Sequence, residues 1–136
     1  MNSILEKFTL EKSLIFSLIA AVLIVFGVIF YLFIGYFSKT IDIISPSAGS
    51  ELGIGETYKI SWKSRGLESV GIVLFKGEEP KWIAKNIPAG AKSYEWKIYP
   101  GQQYGDDYWL AVFEYPWQKG NKIAYSGAFA IVFPEF

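Results

Sequence analysis

Residues 13–37 form an unbroken apolar stretch, SLIFSLIAAVLIVFGVIFYLFIGYF, that contains no charged residue and no proline. At the rise of an α-helix, a segment of this length extends about 37 Å, which exceeds the roughly 30 Å of a bilayer's hydrocarbon core. Inside lipid the backbone must satisfy its own hydrogen bonds, so a single spanning segment has to be helical. We therefore predict one transmembrane helix at residues 13–37.

Three lysines near the ends of this stretch indicate its orientation. Lys7 and Lys12 precede it and Lys39 follows it, and the side richer in lysine and arginine tends to stay in the cytoplasm. We therefore expect residues 1–12 to be a cytoplasmic N-terminal tail. Residues 41–136 would then lie outside the cell, on a single-pass protein of the cell membrane.

The length of the apolar stretch also bears on whether it is removed. A cleavable signal peptide has an apolar core of about 7–15 residues, and this run is much longer, so we expect an uncleaved signal anchor. Tyr31, Tyr36 and Phe37 gather near its end and are typical of an interfacial aromatic belt. Residues 38–40 are left as a short tether.

After residue 40 the pattern changes to alternation of apolar and polar residues, which indicates half-buried strands. The clearest case is Tyr58, Ile60 and Trp62, which alternate with polar residues. Short segments of this kind, separated by glycine and proline, number about seven. They predict an all-β fold, an Ig- or fibronectin-III-like antiparallel sandwich preceded by the single helix. The predicted inward sets are Tyr58/Ile60/Trp62, Val70/Ile72/Leu74, Tyr94/Trp96/Ile98, Tyr108/Leu110/Val112 and Phe129/Ile131/Phe133, with a shorter strand at residues 82–86.

Composition excludes several classes of function. The sequence has no cysteine and no histidine, which removes disulfides, thiolate metal sites, and Ser-His or Cys-His nucleophiles. Its formal net charge is zero with both signs interspersed, so it has no basic field for nucleic acid. We expect no cofactor, no metal site and no enzymatic activity.

Two carboxylate pairs are weak candidates for chemistry. Asp106 and Asp107 lie in what the sequence predicts to be a loop, but calcium requires six to eight oxygen ligands and no spaced acidic loop accompanies them. Glu95 and Glu114 are the right residue type for a glycosidase pair, yet both are predicted to face outward on separate strands. We interpret all four as solvated side chains.

Aromatic residues exceed what a core of this size needs. Once the inward sets are assigned, a surplus remains that we single out as a candidate binding patch: Trp82, Tyr99, Tyr104, Trp109, Tyr115 and Trp117. Such rings can stack on sugars, dock a partner protein or rest among lipid headgroups. The alternative is that they cover a second, smaller core.

The strand region resembles a known family. The residues that carry the resemblance are 43–49, 55–62, 70–74, the pair Tyr94-x-Trp96, 107–112 and 126–131. This pattern is similar to the Ig-like domain of the yeast cell-wall protein family Kre9/Knh1, also called the Ser-Thr-rich GPI-anchored membrane family, and covers nearly all of residues 41–133. The resemblance implies a sandwich at a cell surface or wall, associated in fungi with glucan assembly. In this sequence an N-terminal anchor replaces the Ser/Thr-rich tail of the fungal members.

A second resemblance concerns the N-terminus. Phe8-Thr9-Leu10-Glu11 before a long apolar helix resembles the start of type IV pilins, in which glycine and glutamate stand where this chain has Lys7 and Lys12. The leading interpretation is a membrane-anchored Ig-like module with a structural, adhesion or protein-interaction role. A module that binds cell-wall glycan is the main alternative, and a pilin-like assembly subunit is a less favoured one.

Overall fold

A computed structural model describes residues 2–135 of the chain. The chain divides into two compact units, a helix that belongs to the unit ending at Ser38 and a β-sandwich that belongs to the unit beginning at Lys39.

The helix, α1, spans Asn2–Phe37 and is 36 residues long. It contains the predicted span and nearly all of the predicted tail, because the residues before the apolar stretch continue the helix; Thr9 Oγ1, for example, donates a hydrogen bond to the Leu5 carbonyl at 2.8 Å. By length and composition it is apolar enough to cross a membrane. The side chains of Tyr36 and Phe37, two members of the predicted aromatic belt, lie outside the described part.

Up to residue 135, the second unit consists of nine strands and one 3-10 turn. The strands are β1 (Thr40–Ser45), β2 (Glu51–Gly53), β3 (Thr57–Arg65), β4 (Ser69–Lys76), β5 (Glu79–Pro88), β6 (Ser93–Lys97), β7 (Gly105–Glu114), β8 (Ile123–Tyr125) and β9 (Phe129–Val132), with the 3-10 turn at Ala89–Ala91. The two strands beyond the predicted seven are β2 and β8. Each has three residues, which is too short to display an alternating pattern.

The strands form two sheets packed face to face, so the predicted sandwich is confirmed. The smaller sheet has the order β1-β3-β6, and the larger has the order β2-β9-β7-β4-β5, with β8 paired to β7. All pairings are antiparallel except that of β2 with β9, which is parallel. That one pairing departs from the purely antiparallel sheets that the sequence predicts.

The core between the sheets is built on aromatic and branched side chains. Trp62 on β3 is fully buried, and its indole Nε1 donates a hydrogen bond to the Ala89 carbonyl at 3.2 Å. Trp96 and Tyr108 are also buried. The predicted inward sets lie against this core with one exception: Phe133 is exposed, because β9 ends at Val132 and the chain leaves the sheet there.

Two further boundaries differ from the sequence predictions. Strand β5 begins at Glu79 rather than at residue 82, since only Gly77 and Glu78 form the turn after β4. Gly77 has a φ of 58°, the left-handed conformation that a two-residue hairpin loop requires. Asp106 and Asp107 lie within β7 and not in the loop before it.

Candidate binding surface on the larger sheet

The outer surfaces of the two sheets differ in chemistry. On the smaller sheet, Lys59 and Lys63 of β3 and Glu95 and Lys97 of β6 are exposed, as expected for a sheet with one face in water. On the larger sheet, β4 and β7 are buried on both faces over most of their length. Strands of that kind normally have protein on both sides.

We call this outer surface of the larger sheet the outer aromatic face. Its residues come from β4, β5, β7, β8 and the loop between β7 and β8: Val73, Phe75, Trp82, Trp109, Ala111, Phe113, Tyr115, Trp117, Ile123 and Tyr125. Strand register places them side by side, since Val73 is opposite both Ala111 and Trp82, and Ala111 is opposite Tyr125.

One row of rings crosses β4, β7 and β8. Phe75 and Trp109 are opposite each other in the register and their rings stack with centroids 3.9 Å apart. Tyr125 meets the Trp109 ring edge-on at 5.5 Å. The indole Nε1 of Trp109 donates to the Gly77 carbonyl at 2.8 Å, so this ring is fixed by the β4–β5 turn.

A second row joins β5 to the β7–β8 loop. Trp82 meets Phe113 edge-on at 5.6 Å, and Phe113 meets Trp117 at 5.6 Å and 89°. Beneath them lies Gly71, where an added Cβ would be 3.0 Å from the Phe113 ring and 3.1 Å from the Trp82 ring. Glycine at this position therefore lets both rings approach the strand.

The rows surround a small buried cluster with an exposed rim. Val73, Ala111 and Phe113 are at most 7% exposed, whereas Trp82, Trp117 and Tyr125 are 46%, 52% and 60% exposed. The face is thus a second, smaller core that is covered only in part. Exposed aromatic groups of this size are commonly found where proteins bind partners.

Hydrogen bonds hold the loop that carries Trp117. The side-chain amide of Asn121 donates to the carbonyls of Pro116 at 2.9 Å and Glu114 at 3.3 Å. At the start of the loop, Ser69 Oγ donates to the Tyr115 carbonyl at 2.8 Å. These bonds position an exposed indole without burying it.

The structure brings together four of the six residues of the predicted patch. Trp82, Trp109, Tyr115 and Trp117 all belong to the outer aromatic face, with Trp109 and Tyr115 half-buried. Tyr99 and Tyr104 do not belong to it.

The two outlying tyrosines lie in the segment between β6 and β7. Tyr99 is 5.4 Å from Lys81 Nζ, and Tyr104 packs on Phe133 at 5.3 Å. Among the described residues, neither tyrosine makes a ring–ring contact with the outer aromatic face, and a binding role for these residues stays a prediction. The sequence analysis missed three aromatic residues of the outer aromatic face: Phe75, Phe113 and Tyr125. The continuous apolar runs VGIVLF and YWLAVF, which contain the first two, are the sequence signal that could have found them.

Two lysines of the larger sheet have defined partners. Lys85 Nζ lies 4.5 Å from the Trp82 ring centroid. Lys76 Nζ bonds both carboxylate oxygens of Asp107, at 3.0 and 3.2 Å. That hydrogen bond lowers the pKa of the Asp107 carboxyl and raises the pKa of the Lys76 amine.

The carboxylates considered for chemistry are dispersed. Glu95 is exposed on the smaller sheet, while Glu114 ends β7 in phase with its inward-facing residues and pairs with Lys39. The prediction that Glu114 faces outward is thus wrong, because Glu114 continues the inward alternation of Leu110 and Val112. Among residues 2–135 no three His, Cys, Asp or Glu side chains cluster so as to hold a metal ion.

Comparison with known proteins gives a family match and similarity to solved structures. Fibronectin(III)-like modules of Clostridium thermocellum CbhA are similar in structure, with a TM-score of 0.44 and 16% sequence identity over 69% of this chain and 94% of that chain. The comparison with curated proteins finds no match. The model of the Kre9/KNH-like N-terminal Ig-like domain matches residues 45–131. This match confirms the resemblance seen in the sequence, and the chain belongs to the family that carries the Kre9/KNH-like N-terminal Ig-like domain.

Proposed function

We propose that this chain is a membrane-anchored cell-surface module that docks a partner protein through the outer aromatic face. The observation that carries the proposal is that β4 and β7 are apolar on both faces while Trp82, Trp117 and Tyr125 remain about half exposed. Covering these rings with a partner removes apolar surface from water, which stabilises the complex. The role is structural or adhesive and not catalytic.

The anchor in this proposal is α1. Its length and composition suit a single membrane span, and its described apolar side chains are exposed, so they need lipid around them. The lysines before and after it favour an extracytoplasmic sandwich. Alkaline extraction of membranes tests the anchor, and release of the protein by alkali would contradict a membrane span. Protease added to intact cells tests on which side of the membrane the sandwich lies, and protection of the sandwich would contradict an extracytoplasmic location.

The ring geometry favours protein over glycan as the partner. A sugar stacks on a flat, open aromatic platform, but the exposed rings of Trp82 and Trp117 each cross the Phe113 ring steeply, at 63° and 89°. Lys85 also lies over one side of the Trp82 ring. Such an uneven surface suits shape-complementary packing by apolar side chains.

The test compares two double variants of the full chain, captured from mild detergent with whatever membrane or surface protein accompanies it. Trp82→Ala with Trp117→Ala removes the rim of the face. Tyr104→Ala with Phe133→Ala is the matched control, because it removes two exposed rings that contact each other and not the outer aromatic face. We expect a stoichiometric partner that the first variant loses and the second keeps; a partner retained by both variants would refute the proposal.

A carbohydrate-binding role is the second candidate, favoured by the exposure of the tryptophan rings of Trp82 and Trp117. A glycan array probed with the full chain in nanodiscs separates the two. Binding to a wall polysaccharide that the Trp82→Ala, Trp117→Ala variant loses would assign the face to glycan. Absence of glycan binding, together with a protein partner, supports the first candidate.

A further inference from the structure

The two sheets differ in width on the side where β5 and β6 lie. The smaller sheet ends at β6, whereas the larger sheet continues through β4 to its edge strand β5. A groove of about 320 Å³ runs between them, lined by Leu74 of β4, Ile83 of β5 and Trp96 of β6 among others. The groove occupies the position that a fourth strand of the smaller sheet would take.

The hydrogen bonds that flank β6 show which way its backbone groups point. The Trp62 amide donates to the Lys92 carbonyl at 3.0 Å, and the Ile98 amide donates to the Glu56 carbonyl at 2.9 Å. In an antiparallel pair, hydrogen-bonded residues recur at every second position. Tyr94 and Trp96, the two residues between Lys92 and Ile98 that keep this alternation, therefore form backbone hydrogen bonds with β3.

The other three residues of β6 point their backbone N–H and C=O groups away from β3. These residues are Ser93, Glu95 and Lys97. Among residues 2–135, β6 pairs with β3 and with no second strand, so this row of groups is left open. An unpaired row of this kind is a template for strand addition.

The neighbouring edges carry bulges or prolines, whereas β6 does not. Strand β1 has an irregular register between Ile43 and Ser45 and contacts β8 of the facing sheet. Strand β5 contains Pro80 and Pro88 and two register shifts. Prolines and bulges are among the devices that prevent pairing at an edge. β6, with the sequence SYEWK, carries the charged Glu95 and Lys97 but neither a proline nor a bulge.

The charges beside the groove are unbalanced toward positive. Among the described residues, Lys81 contacts the Gln102 side chain and the Tyr99 ring, and neither Lys81 nor Lys97 forms an ion pair with a carboxylate. Glu95 lies opposite Lys59 on β3, which offsets its charge. A segment bearing carboxylates complements the two lysines.

We propose that β6 accepts an extended segment of a partner protein as the fourth strand of the smaller sheet. Backbone groups of the segment bond those of Ser93, Glu95 and Lys97, its alternate apolar side chains enter the groove over Ile83, and its carboxylates meet the flanking lysines. This is β-strand addition, in which main-chain bonds supply affinity and pockets for alternate side chains supply specificity. The site is separate from Trp117 and Tyr125 of the outer aromatic face, whereas Trp82 of that face also lines the groove.

The test uses the full chain in nanodiscs and a labelled peptide of about nine residues, the length of a long strand, that alternates valine with aspartate. Fluorescence anisotropy measures its binding. Two comparison peptides isolate the two parts of the proposal. One is methylated on alternate backbone nitrogens and cannot donate along one edge, and the other has lysine in place of aspartate.

We expect the acidic peptide to bind and both comparison peptides to bind at least about tenfold more weakly, the effect of losing one or two hydrogen bonds or ion pairs. Glu95→Pro removes an outward N–H and should weaken binding to the same degree, whereas Glu95→Gln keeps the N–H and should retain binding. Trp117→Ala should leave peptide binding unchanged, which separates this site from the outer aromatic face.

Two results would overturn the proposal. The first is failure of the wild-type protein to bind the acidic peptide. The second is equal binding of the acidic and the backbone-methylated peptides, which would show that contacts other than main-chain hydrogen bonds hold the peptide. Because the methylated peptide is tested on the wild-type protein, the second result does not depend on whether Glu95→Pro folds.

Discussion

Replacing a buried and an exposed tryptophan by alanine distinguishes a residue that stabilises the fold from one that is available for binding. Trp62 is fully buried and Trp117 is 52% exposed. Burial of a tryptophan removes about 200 Å² from water, which at about 25 cal/mol per Å² stabilises the fold by about 5 kcal/mol at most. We expect Trp62→Ala to lower the free energy of unfolding by about 3–5 kcal/mol, including the lost bond to Ala89.

For Trp117 about half of that area is already exposed, and its contact within the sandwich unit is edge-on to Phe113 at 5.6 Å. We expect Trp117→Ala to cost about 1 kcal/mol. Urea denaturation of the full chain in detergent, followed by circular dichroism, measures both values. A loss for Trp117→Ala equal to that for Trp62→Ala would show that the exposed indole is structural, and would remove it from the proposed binding surface.

Three further outcomes follow from particular contacts. Asp107→Asn removes the ion pair with Lys76; because the pKa of the carboxyl is lowered in the folded state, the stability difference from the wild type should be full at neutral pH and vanish as the pH falls below the ordinary value of 3.8. Gly71→Ala places a methyl group against the Phe113 ring and should shift the aromatic resonances of the outer aromatic face, which NMR measures; unchanged resonances would contradict the close approach. N-terminal sequencing should find the whole tail retained, whereas a mature chain that begins at Phe8 would support the pilin-like alternative.

The sandwich was predictable because its core strands alternate cleanly. In β3, the sequence TYKISWKSR alternates so regularly that the burial of Ile60 and Trp62 follows from period alone. The same reasoning misplaced Phe133, because alternation does not reveal where the pairing partner ends. It also missed β2 and β8, whose three residues each are set by long-range pairing with β9 and β7.

The candidate surface was predictable only in part. An excess of aromatic residues indicated that some rings lie outside the main core, and Trp82 and Trp117 are indeed exposed. The sequence did not separate them from Tyr99 and Tyr104, because which loops share a face depends on the strand order β7-β4-β5. Nor did it reveal the open edge of β6, since a free edge is a property of the sheet and not of the strand.

Site-specific crosslinking in intact cells tests the central claim most directly. A photoreactive phenylalanine analogue replaces Trp117 on the outer aromatic face in one strain, and Tyr104, which is exposed outside that face, in another. We predict a discrete protein adduct from position 117 and none of that mass from position 104. The same adduct from both positions, or no protein adduct from position 117, would contradict a partner docked on the outer aromatic face.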